Sequence, residues 1–146
     1  LQKTKELTTQ VLDHPPKFAL ELLNEFQRER HEALGWTLEV YSQAELENSF
    51  VGNFAFSRCL AVYKGSELVA FSCFDLGKKT LNSIYAVCSP KYRKLSLGTY
   101  LALKEIEIAQ AHHVEWYYLG LYNQEAPSLQ YKSRFKPNQT FTYFPE

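Results

Sequence analysis

The 146 residues are 45% apolar and 15% aromatic, a composition typical of one globular domain with a sizeable core. No apolar run approaches the ~20 residues of a membrane-spanning helix, and no signal-peptide pattern opens the chain. Sixteen basic side chains balance sixteen acidic ones, which excludes the strongly basic class of independent nucleic-acid-binding domains. We therefore treat residues 1–146 as a single domain.

Local patterns predict the first two elements. Residues Leu7 to Leu12 are predicted to form a short edge strand. Asp13 ahead of Pro16 is a helix-start signal, and apolar side chains recur at helical spacing from there to Leu34. Gly35 is expected to end this helix, because glycine readily adopts the left-handed conformation of a helix C-terminus.

The next segment carries a clear helix-capping pattern. Residues Trp36 to Tyr41 are expected to be extended. Ser42 and Glu45 then form a capping box, in which each side chain satisfies a backbone N–H of the other. This predicts a second, short helix from Gln43 to about Phe50, with a structural rather than catalytic role.

Three strands follow in short succession. Arg58–Tyr63 and Glu67–Asp75 are joined by a tight turn at residues 64–66. A second turn at residues 76–79 leads into Asn82–Cys88. Strands this close in sequence predict an antiparallel meander.

The residues after this meander form a candidate anion site, which we call the anion turn (residues 93–98). Pro90 ends the strand because its ring removes a ladder donor, and a helix from Ser96 to about Ala111 follows. A helix N-terminus offers unpaired N–H groups and partial positive charge. The candidate phosphate ligands are two basic side chains and the backbone that follows them: Arg93, Lys94, Ser96, Leu97 and Gly98.

The charge distribution supports an anionic ligand in this half of the chain. Residues 1–75 carry a net charge of −4 and residues 76–146 a net charge of +4, with six bases and no acid from Lys78 to Lys104. A solvated basic face is the alternative interpretation. Within the helix, Lys104 and Glu107 are expected to pair at the edge, and Glu105 is likewise expected at an exposed edge.

The C-terminal part is predicted to hold a parallel strand. Glu115–Tyr122 is rich in aromatic residues, and the long helix before it makes a parallel pairing with Asn82–Cys88 the expected geometry. Ala126–Phe135 predicts a short helix, and Lys136–Phe144 an extended piece or hairpin. The helix Ser96–Ala111 is apolar around most of its circumference, which predicts burial on more than one side.

The three cysteines are an odd number without metal-binding spacing. Cys59 and Cys73 are expected to be reduced and buried in a cytoplasmic protein, and no metal site is predicted. Cys88 lies beside the anion turn, so its reactivity is the one to examine.

This order of elements resembles the GNAT acyltransferase fold, an α+β class with a mixed, mostly antiparallel sheet flanked by helices. In that fold the pyrophosphate of coenzyme A sits on the turn that here is Arg93 to Gly98. The usual pattern is Gln/Arg-x-x-Gly-x-Gly/Ala. Arg93, Ser96 and Gly98 occupy those places, so one glycine is missing.

More specific motifs resemble the C-terminal domain of aminoacyl-tRNA–protein transferases, the arginyl- and leucyl-transferases of the N-degron pathway. They are Leu97–Tyr100, Glu105–Glu107, Tyr118–Gly120 and Tyr131–Pro137, with Arg30-His31 and Tyr41–Gln43 in addition. The family's usual Tyr-x-x-Tyr/Phe-Asp-Pro differs here, where the chain reads Tyr85 to Pro90 with Cys88-Ser89 before the proline. The family's cysteine-bearing N-terminal domain is not in this sequence, so a missing domain or partner chain is expected.

The resemblance implies transfer of an amino acid from aminoacyl-tRNA, the co-substrate, to the N-terminal amine of a protein, with no bound cofactor. It implies backbone N–H groups of Val87 and Tyr118 for the oxyanion and Tyr131 or Tyr122 as proton donor. The alternating basic residues Lys132, Arg134 and Lys136 would then contact tRNA. The alternatives are an acetyl-CoA-dependent N-acetyltransferase and a non-catalytic binding module with the same fold.

Overall fold

The computed structural model describes residues 4–51 and 54–141, and a five-stranded mixed sheet lies at its centre. The strands lie in chain order across the sheet; the first three pairings are antiparallel, and the last, between β4 and β5, is parallel. Their bounds are β1 Leu7–Leu12, β2 Ser57–Lys64, β3 Glu67–Leu76, β4 Thr80–Cys88 and β5 Trp116–Tyr118. The predicted edge strand, the meander and the parallel final strand are all confirmed.

Helices cover both faces of this sheet, which explains why β3 is apolar almost throughout. Residues 68–74 are buried without interruption, the pattern of a strand covered on both sides. On one face Leu23 and Phe26 pack with Phe71 and Val87. The helices are α1 Ala19–Leu34, α2 Gln43–Leu46, α3 Leu97–Ala111 and α4 Pro127–Gln130.

Helix α1 begins later than the sequence suggested. Phe18 adopts a left-handed conformation, with φ of 67°, and the carboxylate of Asp13 pairs with His14 instead of capping the helix. Gly35 ends the helix as predicted, since its φ is 69° and its N–H donates to the carbonyl of His31 at 2.9 Å.

The predicted capping box is present, and the helical segment that it starts ends at Val51, close to the predicted Phe50. Both reciprocal hydrogen bonds between Ser42 and Glu45 are formed. One α-helical turn then widens into a π-helical turn, Glu47–Val51. The segment 36–41 is not a strand: side chains hold it, with the Asn24 amide bonded to both backbone groups of Tyr41 at 2.8 and 3.0 Å.

Helix α3 packs on the opposite face of the sheet from α1. Leu97 and Leu101 contact Leu60, Val62 and Leu81 in a second core cluster. Burial is confined to one face of the helix, because Leu103 on the other side is 41% exposed. The expectation of burial on more than one side was therefore wrong.

The C-terminal part is less regular than predicted. Strand β5 has three residues instead of the eight of Glu115–Tyr122. The predicted helix 126–135 divides into α4 and a 3₁₀ turn, Tyr131–Arg134. Residues 136–141 form no strand, and residues 142–144 of the predicted tail lie outside the described part of the chain. Within the described residues, no helix has the length and apolar character needed to cross a membrane.

Candidate active site

The two edges of β4 differ in their pairing, and this difference defines the candidate site. β5 pairs only with Thr80–Asn82. From Ser83 to Cys88, no strand in the described ranges pairs with the side of β4 that faces away from β3. We call residues 83–88 the open edge. Unpaired backbone groups along such an edge are available to a ligand.

The register shows which N–H groups point to the open edge. The N–H of Ser89 donates to the carbonyl of Val69 at 2.9 Å. Antiparallel pairs alternate in direction, so with Phe71 opposite Val87 the Val87 N–H points toward β3. The N–H groups of Ala86 and Cys88 point to the open edge. This corrects the expectation that Val87 supplies an oxyanion donor.

The anion turn lies just beyond the open edge. A 3₁₀ turn, Pro90–Leu95, leads into Ser96, which has φ of 52° and makes no side-chain cap to α3. Leu97 is buried. A Cβ at Gly98 would find no atom within 4 Å, so the space above the first turn of α3 is open.

The two basic side chains of the turn are in different surroundings. Arg93 forms an ion pair with Glu29 of α1 and remains 65% exposed. Lys94 is exposed and makes no ion pair with the residues that the structure describes. Lys94 thus presents a positive charge at the turn with no acidic partner among the described residues, whereas Arg93 ties the turn to α1.

A buried carboxyl group lies under the site, on the α3 side. Glu105 is 1% exposed. Its carboxyl accepts hydrogen bonds from the Ser72 hydroxyl at 2.5 Å and from the Tyr117 hydroxyl at 2.7 Å. Burial raises the pKa of Glu105, and hydrogen bonds from Ser72, Tyr117 and Ser83 oppose that rise. The carboxyl group thus joins α3 to β3, β4 and β5.

This position of Glu105 contradicts the expectation of an exposed edge residue. Its neighbours one turn away, Leu101 and Ala109, are both buried, so helical spacing placed it on the apolar face. That spacing was the signal that sequence reasoning missed. The pair Lys104–Glu107 was predicted correctly and is formed at 2.7 Å.

The two candidate proton donors are not equivalent. Burial raises the pKa of the Tyr131 hydroxyl, and the nearby Cys88 and Glu105 raise it further. Tyr131 is partly buried, and its hydroxyl stays protonated at neutral pH. Tyr122 is 39% exposed and lies in the irregular segment after β5.

The three basic residues predicted to contact tRNA do not form one row. Their alternation would align them on a strand, but 131–134 is a 3₁₀ turn, where residues two apart point in different directions. Lys132 instead donates to the carbonyl of Leu121 at 2.8 Å, and burial lowers the pKa of its ammonium group. Arg134 and Lys136 are exposed.

The cysteines are free thiols. Cys59 and Cys73 face each other across β2 and β3 with their sulfurs 3.4 Å apart. Burial raises the pKa of Cys88 to about 12, so its thiol is protonated at neutral pH and is a poor nucleophile. Across the described ranges, no cluster of three or more His, Cys, Asp or Glu side chains is placed to hold a metal ion.

Comparison with known sequences gives one matching family and relatives that agree with it. The family described as "Arginine-tRNA-protein transferase, C terminus" matches residues 19–142. An aspartate/glutamate leucyltransferase of Campylobacter jejuni is 30% identical over 139 residues, covering 92% of this chain and 58% of that protein. Arginyl-tRNA–protein transferase 1 of Saccharomyces cerevisiae is 33% identical over 73 residues, covering 50% of this chain and 14% of that protein. The chain thus spans little more than half the length of the Campylobacter relative.

Solved structures share the fold. A ribosomal-protein-alanine N-acetyltransferase of Brucella melitensis superposes with a TM-score of 0.64 at 10% identity, covering 96% of this chain and 97% of that one. An aminoglycoside acetyltransferase from a soil metagenome superposes with the same TM-score at 16% identity, covering 96% and 97%. The predicted GNAT-like α+β fold is therefore confirmed.

Proposed function

The chain belongs to the arginine-tRNA–protein transferase family, and on that premise we propose that it transfers an amino acid from aminoacyl-tRNA to the N-terminal amine of a protein. The observation that carries the proposal is the open edge of β4 directly before the anion turn. The open edge offers free N–H groups to a carbonyl, and the anion turn offers positive charge to a phosphate. An aminoacyl ester at the end of a tRNA presents both groups close together.

The donor would bind along the open edge. Lys94, Arg93 and the N-terminus of α3 would hold the terminal phosphate of the tRNA. Its ester carbonyl would accept hydrogen bonds from the N–H groups of Ala86 and Cys88, with Tyr118 at the point where β4 and β5 part. Donors fixed in place before the reaction stabilise the oxyanion of the tetrahedral intermediate.

The reaction needs little further chemistry because the ester is already activated. The neutral acceptor amine attacks the carbonyl carbon, and the bond from that carbon to the ribose oxygen breaks. The leaving ribose oxygen takes up a proton, and the proton that the attacking nitrogen loses passes through water to restore the donor. Tyr131 would donate the proton to the ribose oxygen, directly or through water, because its hydroxyl is neutral and makes no hydrogen bond with the described residues. Holding the amine in line with the carbonyl supplies much of the rate.

Three further points belong to the proposal. The acceptors would begin with an acidic residue, the class that the name of the Campylobacter relative gives for that protein. The activity would lie in the cytoplasm, where charged tRNA is found, and would serve the N-degron pathway. Arg134 and Lys136 would contact the acceptor stem of the tRNA through its phosphates.

The test is transfer of radiolabelled leucine or arginine from charged tRNA to peptides that begin with Asp, Glu or Arg. The expected result is label in one class of peptide, lost in the double variant R93E/K94E. Absence of label together with acetylation of the same peptides by acetyl-CoA would instead establish an acetyltransferase. Label that survives in the double variant would refute the role of the anion turn.

A further inference from the structure

A single arginine beside the open edge is held in a fixed orientation. Arg30 lies near the end of α1, with its guanidinium carbon 4.9 Å from the ring centre of Phe26 and 5.8 Å from that of Trp36. Stacking on aromatic rings fixes the plane of a guanidinium group. The side chain is 32% exposed, so the group is held within the protein and is still open to a ligand.

The charges around Arg30 are not balanced. The Nε atom of Arg30 lies 3.6 Å from a carboxylate oxygen of Glu29. This Nε atom is buried and makes no hydrogen bond. Glu29 also pairs with Arg93. Two guanidinium groups therefore share one carboxylate, and the cluster keeps one net positive charge. A partly buried cation with unused donors favours an anionic ligand.

The position of Arg30 relative to β4 narrows the choice of ligand. Its positive charge acts on the Tyr85 hydroxyl and on the Cys88 thiol, where it opposes the rise in pKa that burial causes. Both residues belong to the open edge. Tyr85 packs against Phe26 on the α1 face, whereas Glu105 lies on the α3 face. Arg30 stacks on the ring of Phe26, whose centre lies 6.5 Å from that of the Tyr85 ring. Arg30 therefore lies on the α1 side of the sheet, one aromatic ring away from the open edge.

We propose that Arg30 binds the side-chain carboxylate of the acceptor's first residue and so sets the preference for acidic N-termini. This inference rests on the proposed transfer reaction, which requires the acceptor amine at the open edge. In Asp and Glu the carboxylate lies only a few bonds from that amine. The planar fork of a guanidinium group matches a carboxylate in two parallel hydrogen bonds.

The test compares peptides that differ only in one charge: Asp against Asn, and Glu against Gln, at the first position. Transfer is measured for the wild type and for R30M, R30K and R28M. Arg28 is a matched control, because it lies on the same helix, is exposed and makes no ion pair with the described residues. Thermal melting of each variant checks that it is folded.

We expect the wild type to favour Asp over Asn by about 10- to 100-fold in kcat/KM, the range of a charged hydrogen bond. R30M should lose most of this preference by slowing transfer to Asp while leaving transfer to Asn nearly unchanged. R30K should recover part of it, since lysine keeps the charge without the fork. R28M should behave as the wild type.

Three results would overturn the inference. A wild type that does not distinguish Asp from Asn excludes a carboxylate reader. An equal loss for both peptides in R30M would show that Arg30 serves the tRNA or the fold. A wild type that transfers to no peptide contradicts the proposed function itself, a result that is separate from a loss of preference in R30M.

Discussion

The two edges of β4 differ in how far strand pairing extends along each of them. Along β3 it is paired from Leu81 to Cys88, with one irregularity near Tyr85. Along β5 it is paired at only three positions. The paired edge is continuous with the core of the sheet, whereas the other edge is unpaired up to the start of the 3₁₀ turn at Pro90. The open edge exists because the pairing of β4 with β5 stops early.

The difference in pairing between the two edges of β4 also explains the position of Glu105. The Tyr117 hydroxyl, from the middle of β5, is bonded to the Glu105 carboxyl, which also accepts a hydrogen bond from Ser72 of β3. The carboxyl thus fixes the short strand where pairing ends.

The largest effect is expected at the buried carboxyl. E105A should lower the free energy of unfolding by about 3 kcal/mol, because it leaves a cavity and two hydroxyl donors without their acceptor. E105Q keeps an acceptor oxygen and should lose less. Urea unfolding measures both. Equal stabilities of E105A and the wild type would show that Glu105 does not hold β5 in place.

The same carboxyl predicts a pH dependence. Burial raises the pKa of Glu105 above its ordinary 4.5, so the folded state holds this proton more tightly than the unfolded state. Its contribution to stability is complete below the ordinary pKa and is lost as the pH rises through the raised value. The wild type should therefore lose stability relative to E105Q over that range in urea unfolding. If the free energies of unfolding of the wild type and E105Q changed in parallel with pH, this predicted pH dependence would be contradicted.

Tyr131 should matter more than Tyr122. Y131F should lower kcat about 100-fold with little change in KM, the scale of a lost general acid. Y122F, at an exposed position, is the matched control and should keep kcat within about twofold. A larger loss in Y122F than in Y131F would exchange their assigned roles. The transfer assay with saturating charged tRNA separates the outcomes.

Substituting Lys94 tests the positive charge of the anion turn separately from the attachment of the turn to α1, which Arg93 provides. K94A should raise the KM for charged tRNA about fivefold, the value of one exposed phosphate contact of about 1 kcal/mol. The slope of the logarithm of the binding constant against the logarithm of the salt concentration should become shallower by about one unit. Stability should not change, because Lys94 makes no ion pair with the described residues. Unchanged KM and salt dependence would remove Lys94 from the donor site.

The smallest effect is expected at Cys88. Burial holds its pKa at about 12, so the thiol is not a nucleophile at neutral pH. C88A should keep activity within about threefold and leave the pH–rate profile unchanged, because its backbone N–H remains. Loss of activity in C88A with normal stability would indicate covalent catalysis.

Much of the fold followed from local sequence signals. Turn residues around Gly65 and Gly77 bounded the meander, and Ser42 with Glu45 fixed the capping box. The length of β5 did not follow, because it depends on where the chain turns away, and Gly120 there has φ of 81°. The apolar and aromatic residues beyond Tyr118, which are Leu119, Leu121 and Tyr122, resemble a strand whether or not they have a partner.

The site was predicted less completely, for a physical reason. The turn between β4 and α3, where the site is proposed, followed from Pro90 and the helix start. The pairs that organise it join residues far apart in sequence, such as Arg93 with Glu29 and Glu105 with Ser72. The direction of each N–H along β4 depends on register, which the sequence does not specify by itself.

The central claim is that the open edge of β4 holds the reacting carbonyl. The most direct measurement is the amide NMR spectrum of the ¹⁵N-labelled chain during titration with a short RNA hairpin whose 3′ end carries an amide-linked amino acid. We predict large shifts and slowed exchange for the N–H groups of Ala86 and Cys88, and little change for Val87, which already faces β3. Binding of the hairpin with no change at Ala86 or Cys88 would contradict the claim.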